Sequence, residues 1–428
     1  MNFTVSNFRS IRDEVTLSMN GGRYRETTEG SRSIKTGFTQ FPCALRAAAI
    51  YGANASGKSS LIGGIDFLQR LVSHSARDEE GNLLSSLPVC KATLDHGKVQ
   101  SSLFEINFVE HETQYTYGVL ASRSQILEEW LHAKTKKGRT REVFSRTLEG
   151  ETYEWSFSSI FSSKKMASTW SNATRDNALF LSTAIQLNSE ELKPVHSWLT
   201  SRLRLITPSN HIGHLVTSKH LLDENGDYDA LLELLQAADP SITGVKVEVS
   251  EVDESEYLSM FSEEIRSRLL ESSQARLDYE VKVTHKVPGC DEYVLDIEDE
   301  SDGTQIIYKY AAPFLQSLDH NFVVIVDELD RSLHPLLLER FVAIFTEPFD
   351  DSTEAQIIFT THDSALLSTD VIHRDQIWFV DNVGMNGSNL IPLSDFKPRK
   401  DDPLQKIYLQ GRYKAVPKPR TKMLLRAK

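Results

Sequence analysis

The run GANASGKSS, Gly52 to Ser60, fits G-x-x-x-x-G-K-[ST] and carries on either side the two elements such a turn requires. Before it, LRAAAIY is a short apolar run of the buried-strand kind. After it, KSSLIGGIDFLQRLV places Leu61, Ile62, Ile65, Leu68 and Val72 at helical spacing. A strand that turns through glycines into a helix offers backbone N–H groups and a helix N-terminus to a phosphate. The pattern assigns Gly52, Asn54, Gly57 and Ser60 to the phosphate-binding turn. Lys58 reaches the β- and γ-oxygens, and the Ser59 hydroxyl is a ligand for Mg²⁺. The expected ligands are therefore ATP and Mg²⁺.

The second half of such a site is FVVIVDELD. Phe322 to Val326 reads as a buried parallel-type strand, and Asp327 at its C-terminal end would hold Mg²⁺ directly or through water. Glu328 beside it is placed to orient and deprotonate the attacking water. A third buried strand, QIIFTT, ends at His362, where an imidazole can read the γ-phosphate. An Asp-Glu pair together with this histidine points to the ATP-binding-cassette class rather than to kinases or small GTPases. That class needs one more part, a Ser-x-Gly turn heading a helix before the acidic strand. Ser301 and Gly303 of SDGT stand there, ahead of apolar positions Ile306, Ile307, Tyr310, Ala311, Phe314, Leu315 and Leu318. A hydroxyl, N–H groups and a helix dipole at that turn suit a γ-phosphate.

Elsewhere the pattern changes period. FTVSNFRSI and VTLSM near the start read as strands, and from Lys91 to Trp155 the alternation in SSLFEINFV, TQYTYGVLA and EVFSRTL predicts an antiparallel sheet. Residues 160–275 read as mainly helical, including SEELKPVHSWLTSRLRL, DYDALLELLQAAD and EEIRSRLLESS. A hairpin, DYEVKVTHKV with YVLDIED, follows. The expected fold is α/β, with an ABC/SMC-head-like P-loop ATPase core, an antiparallel β lobe and a mainly helical insertion. The expected division is 1–155 and 291–396 for the two halves of the core, 156–290 for the insertion and 397–428 for a basic tail.

The chain resembles the SMC-like, RecF/OLD-related ABC-class AAA ATPases, and within them the RloA-like proteins of bacterial abortive-infection and phage-defence loci. The resemblance rests on FTVSNFRSIRDEVTLSM, IYGANASGKSSLIGGIDFL, DNALFLSTAIQLN, SDGT, VVIVDELDRSLHPLLLERFV, FTTHDSALLS and YLQGRYKAVP, spread over nearly the whole length. The last departs from the group's Gly-rich form at Lys414. The resemblance implies that Arg331 to His334 cross a dimer interface beside Glu328. It also implies that Arg9 approaches the phosphates, although an exposed strand arginine fits Arg9 equally well. The class's Gln linking ATP to the antiparallel lobe falls in the region of Gln114, which reads better as a turn residue.

One chain carries one P-loop and one signature turn, and in cassette ATPases these face opposite ways, so each ATP needs a second protomer. The expected assembly is a homodimer, or a larger even-numbered oligomer, closed by ATP and opened by hydrolysis. The resemblance implies control of a separately encoded, nuclease-like effector in anti-phage defence. The alternative is a RecF/SMC-like ATPase that clamps DNA, served by a tail with eleven Lys/Arg against two Asp from Lys397 onward. A formal net charge of −13 speaks against a surface that coats nucleic acid throughout, and residues 248–300 hold sixteen Asp/Glu against five Lys/Arg. A nuclease within the chain is disfavoured, because the 66 residues after His362 lack a clustered set of carboxylates. A transporter subunit is disfavoured by the missing Leu-Ser-Gly-Gly form. No apolar run reaches the roughly 20 residues of a membrane span. Cys43, Cys90 and Cys290 are widely spaced packing thiols, which fits a cytoplasmic protein without secretory signal.

Overall fold

A buried five-membered parallel array carries the P-loop, and its strand order explains where the functional side chains emerge. The computed structural model describes residues 1–21, 33–90, 100–159, 161, 164–207, 212–223, 226–251, 277–347, 352–382 and 387–416. In chain order the strands are β1 (Asn2–Ser6), β2 (Val15–Ser18), β3 (Ser33–Phe38), β4 (Phe41–Leu45), β5 (Ala47–Gly52), β6 (Ser102–Glu110), β7 (Thr113–Ala121), β8 (Ile126–Thr135), β9 (Arg141–Glu149) and β10 (Thr152–Phe157). They continue with β11 (Leu203–Ile206), β12 (Ile242–Glu251), β13 (Leu277–His285), β14 (Tyr293–Asp296), β15 (Val323–Val326), β16 (Gln356–Thr361), β17 (Ile377–Asn382) and β18 (Ser388–Pro392). The helices used below are α1 (Lys58–His74), α2 (Ile212–Leu222), α3 (Tyr228–Ala238), α4 (Asp302–His320) and α5 (Pro335–Thr346).

Contacts divide the chain into two units. The first comprises Met1–Thr207, His320–Arg331 and Leu338–Lys428. Its six-stranded sheet runs β11-β15-β16-β5-β17-β18, parallel except for the terminal β17–β18 hairpin. Strands covered on both faces must be apolar throughout, and β5, β15 and β16 have every residue buried. A second, antiparallel sheet of seven strands runs β10-β9-β8-β7-β6-β1-β2. Its one-face burial appears directly in β6, where Ser102, Phe104, Ile106, Phe108 and Glu110 are buried and the residues between them half-buried. Helix α1 buries Leu61, Ile62, Ile65, Leu68 and Val72, the residues its spacing selects. Phe67 from α1 joins Phe8 and Phe104 in one aromatic cluster, with ring centroids 5.4–5.9 Å apart.

One buried charge cluster fixes the antiparallel lobe to a short helix, Phe180–Gln186. Glu129 of β8 accepts from the Phe180 and Leu181 N–H groups at 2.7 and 3.0 Å and from Tyr117 Oη at 3.0 Å. The Arg146 guanidinium of β9 pairs with it at 3.1 Å, and neither side chain reaches solvent. The carboxylate thus meets orphan donors at a helix start, and every partner is desolvated with it.

The second unit comprises Pro208–Asp319 and Ser332–Leu337. It holds α2, α3, a three-stranded antiparallel sheet β12-β13-β14, and α4 as far as Asp319. The expected hairpin is β13–β14. Two departures from the helical reading of 160–275 stand out. SEELKPVHSWLTSRLRL forms a helix only over Lys193–Ser197, then a π-type turn at Trp198–Arg202, and its last residues leave as β11. Its Leu203-Arg204-Leu205-Ile206 pairs in parallel with β15, a partner far away in the chain. ITGVKVEVSE becomes β12, paired along its length with β13. The expected helix EEIRSRLLESS lies outside the described residues.

Candidate nucleotide-binding site

The P-loop leaves the C-terminal end of β5, between β16 and β17, and bends back through Ala55 at φ 61° and Gly57 at φ 113° into α1. Gly57 is the position that only glycine fills. Its φ is left-handed, and a Cβ there would lie 2.2 Å from Ser388 Oγ and 2.7 Å from Ser10 Oγ. The pocket formed by this turn measures about 640 Å³. That is the usual range for a small-molecule site. Asn54, Gly57, Lys58, Ser59 and Ser60 line it, together with Ser10, Glu328, Asp330, Arg331 and His362.

β16 and the turn after β15 meet on one hydroxyl. Thr360, fully buried in β16, donates to Asp327 Oδ1 at 2.6 Å and accepts the Glu328 N–H at 2.7 Å. Asp327 follows β15 and is 8% exposed, whereas Glu328, at φ 58°, lines the pocket. A non-glycine residue in that backbone region costs energy, which the Thr360 bond and the Leu329 N–H to Thr360 carbonyl bond (3.1 Å) offset. Asp330 takes the His362 N–H on Oδ2 at 2.9 Å, and its Oδ1 is buried without a partner among the described residues. The tip of β16 is therefore tied to the acidic turn at two points.

Lys58 Nζ lies 2.8 Å from the Gly52 carbonyl, 3.4 Å from that of Ala53 and 3.0 Å from His362 Nε2. An ammonium only donates, so Nε2 is the acceptor and the ring is neutral. Burial lowers the Lys58 pKa from its usual value, against the opposing pull of Asp327, Asp330 and Glu328. Burial first and Lys58 second lower that of His362. Lys58, the carboxylates and the histidine therefore share one electrostatic environment.

The donors fit Mg²⁺. Ser59 and Asp327 supply a hydroxyl and a carboxylate, hard oxygen ligands of the kind Mg²⁺ takes while keeping waters and phosphate oxygens. Among the described residues no cluster of three or more His, Cys, Asp or Glu could hold a metal.

Other expected residues fall as follows. The Ser60 hydroxyl turns to Ser10 Oγ at 2.8 Å. Arg9, at φ 50°, donates to the Ser59 carbonyl at 3.2 Å and packs over Phe8 and against Gly63, outside the pocket lining. Gln114 of β7 lines a separate cavity with Glu110, Glu112 and Lys136. In the second unit, Ser301 caps α4 by accepting the Thr304 N–H at 3.2 Å, and a Cβ on Gly303 would come 3.3 Å from the Ser332 carbonyl. Ser301 and Asp302 are exposed. Of the acids before the turn, Glu300 points away, buried against His285 Nε2 at 2.6 Å. His334 accepts the Leu336 N–H at 3.3 Å, and Leu336 is 66% exposed. Lys418, Arg420, Lys422 and Arg426 of the basic tail lie outside the described residues. Among the described residues no helix is long and apolar enough to cross a membrane.

Thr360, Asp330, Ser10 and Ser388 were not picked out from sequence. Thr360 is one of two threonines that end the strand before His362, and nothing in the sequence separates it from Thr361.

Residues 47–368 match the family described as "AAA domain, putative AbiEii toxin, Type IV TA system". Among solved structures, the chain is similar to the SMC head domain from Thermotoga maritima, at 13% identity and TM-score 0.41, over 91% of this chain and 97% of that one. It is also similar to an Smc head domain with extended coiled coil bound to the C-terminal domain of ScpA, from Pyrococcus furiosus (14%, TM-score 0.37, 96% and 98%). The recombination mediator RecF with ATP is similar at 13% identity and TM-score 0.29, over 91% and 96%. No curated protein sequence matches the chain.

Proposed function

The chain belongs to that AAA-domain family and is a P-loop ATPase, and on this premise we propose that it works as an ATP-closed homodimer which switches a separately encoded effector. The observation that carries the reading is the division of labour between the units. Lys58, Ser59, Asp327, Glu328 and His362 are gathered in or beside a pocket lined wholly by the first unit, while Ser301 and Gly303 belong to the second. Ser301, exposed at the head of a 19-residue helix, is the group that would meet the γ-phosphate of ATP held by a second protomer.

In this reading each ATP lies between the P-loop of one protomer and the signature turn of the other. Ser59 and Asp327 would hold Mg²⁺, which would neutralise charge on the phosphates. Glu328 draws the proton from the attacking water, and His362 leaves Lys58 to hydrogen-bond the γ-phosphate. The exposed Leu336 and the Arg331–His334 turn beside it supply surface for the interface. Closing on ATP and opening after hydrolysis gives two states with different affinities for a partner. The family description, which places such domains in toxin–antitoxin systems, supports a paired system. We assign the effector to the nuclease-like kind, in cytoplasmic anti-phage defence. Ser301→Arg tests the trans contact. It should abolish turnover while ATP binding stays within about twofold, and a variant that still turns over ATP would refute it.

A further inference from the structure

Gly57 sits in a cage, and the cage is made of serines that the phosphate chemistry itself does not require. Ser388, the first residue of β18, is 3% exposed. Its Oγ lies 2.6 Å from the Ser56 carbonyl and 2.9 Å from Ser10 Oγ, and Ser10 Oγ lies 2.8 Å from Ser60 Oγ. A hydroxyl has one proton and a carbonyl only accepts. The Ser388 hydroxyl therefore shares its one proton between the Ser56 carbonyl and Ser10 Oγ, and either hydroxyl donates in the Ser10–Ser60 bond, a relay of three hydroxyls that ends on the Ser56 carbonyl. The backbone locks the same parts together. The Ser388 N–H donates to the Ser10 carbonyl at 2.8 Å, and a Cβ on Gly387 would lie 2.8–2.9 Å from Arg12 and the Ser10 carbonyl. The N-terminal turn is itself held by the Phe8–Ile11 bridge.

We propose that Ser388 and Ser10 are positioning residues for nucleotide binding: their hydroxyls fix the Ser56–Gly57 peptide, and so the left-handed Gly57 that aims the start of α1 at the phosphates. Three segments distant in sequence, the turn after β1, the P-loop and the β17–β18 hairpin, meet here. Ser388 is buried outside the pocket lining while Ser10 and Ser60 reach its wall, so the relay holds the turn from behind Gly57 to the edge of the pocket in one conformation. The proposal rests only on the P-loop ATPase assignment and is independent of dimer formation.

The test uses the full chain, with fluorescent ATP-analogue binding, steady-state ATPase kinetics and thermal unfolding on each variant. Ser388→Ala should weaken analogue binding by about 3- to 10-fold, the worth of one buried hydrogen bond, and raise KM by more than it lowers kcat. Ser10→Val, which keeps the shape of threonine without its hydroxyl, should do the same, and Ser10→Thr should restore binding. The Ser10→Val/Ser388→Ala double variant should be little worse than either single one, as expected for members of one relay. Wild-type binding in Ser388→Ala, or additive losses in the double variant, would overturn the proposal. Should Ser388→Ala fail to fold, the Ser10 Val/Thr pair decides alone, and equal binding by those two refutes it.

Discussion

Replacing Thr360 by valine removes one hydroxyl and keeps the shape of the side chain. That hydroxyl donates to Asp327 at 2.6 Å and accepts the Glu328 N–H at 2.7 Å, in a residue without solvent exposure. The bond to an ionised carboxylate is worth about 1.5–3 kcal/mol and that from the partly buried N–H about 1 kcal/mol. Because packing is spared, Thr360→Val should cost about 2.5–4 kcal/mol locally. The loss falls at Asp327 and Glu328, the proposed metal ligand and base, and Glu328 has a strained φ that then lacks support. A displacement of about 1 Å in a catalytic group costs on the order of 100-fold in rate, so kcat should fall by about that factor. ATP affinity, set mainly by the P-loop, should change by about threefold or less, because the phosphate-binding turn itself loses no hydrogen bond. Thr360→Ser keeps the hydroxyl and should retain kcat within a fewfold. Steady-state hydrolysis and direct nucleotide binding measure both quantities. A Thr360→Val variant with wild-type kcat would show that the hydroxyl does not organise the acid pair.

Two further predictions concern the buried charges. Glu129→Ala leaves the Arg146 guanidinium buried and unpaired and orphans the Phe180 and Leu181 N–H groups, so it should destabilise the first unit by about 3–5 kcal/mol; an unchanged urea midpoint would refute this. For His362 the sign follows from its lowered pKa. Just below the ordinary imidazole value of 6.5 the unfolded chain binds a proton that the folded chain does not, so stability falls as pH drops through that value. His362→Gln should flatten this part of the nucleotide-free stability curve between pH 7.5 and about 5.5, and identical curves for variant and wild type would contradict the lowered value.

Local chemistry was legible, and tertiary pairing was less so. The strand–glycine–helix run at Gly52, the apolar strand before Asp327 and the one before His362 declare themselves because each is buried on both faces. The antiparallel lobe shows through its period of two. Strand β11 was hidden because four residues carry no periodicity of their own, and LRLI extends a helical pattern until β15 claims it. Strand β12 alternates, but beside leucine-rich helices its pattern was absorbed into theirs. In the candidate site, Lys58, Asp327, Glu328 and His362 could be proposed from sequence because phosphate chemistry prescribes their types, and the fold brings them together in or beside one pocket. Thr360, Ser10 and Ser388 could not, since a hydroxyl acquires its role only from what the fold sets 2.6–2.9 Å away.

The central claim is that ATP is an interfacial ligand. Glu328→Gln keeps the shape and polarity of the side chain while removing the base, so bound ATP should persist. Molar mass by light scattering during size exclusion, with and without Mg-ATP, reads the consequence directly. The account predicts the mass of one 48.4 kDa chain without nucleotide and twice that mass, or an even multiple, with Mg-ATP. A single-chain mass under both conditions, with ATP shown to be bound, would contradict it.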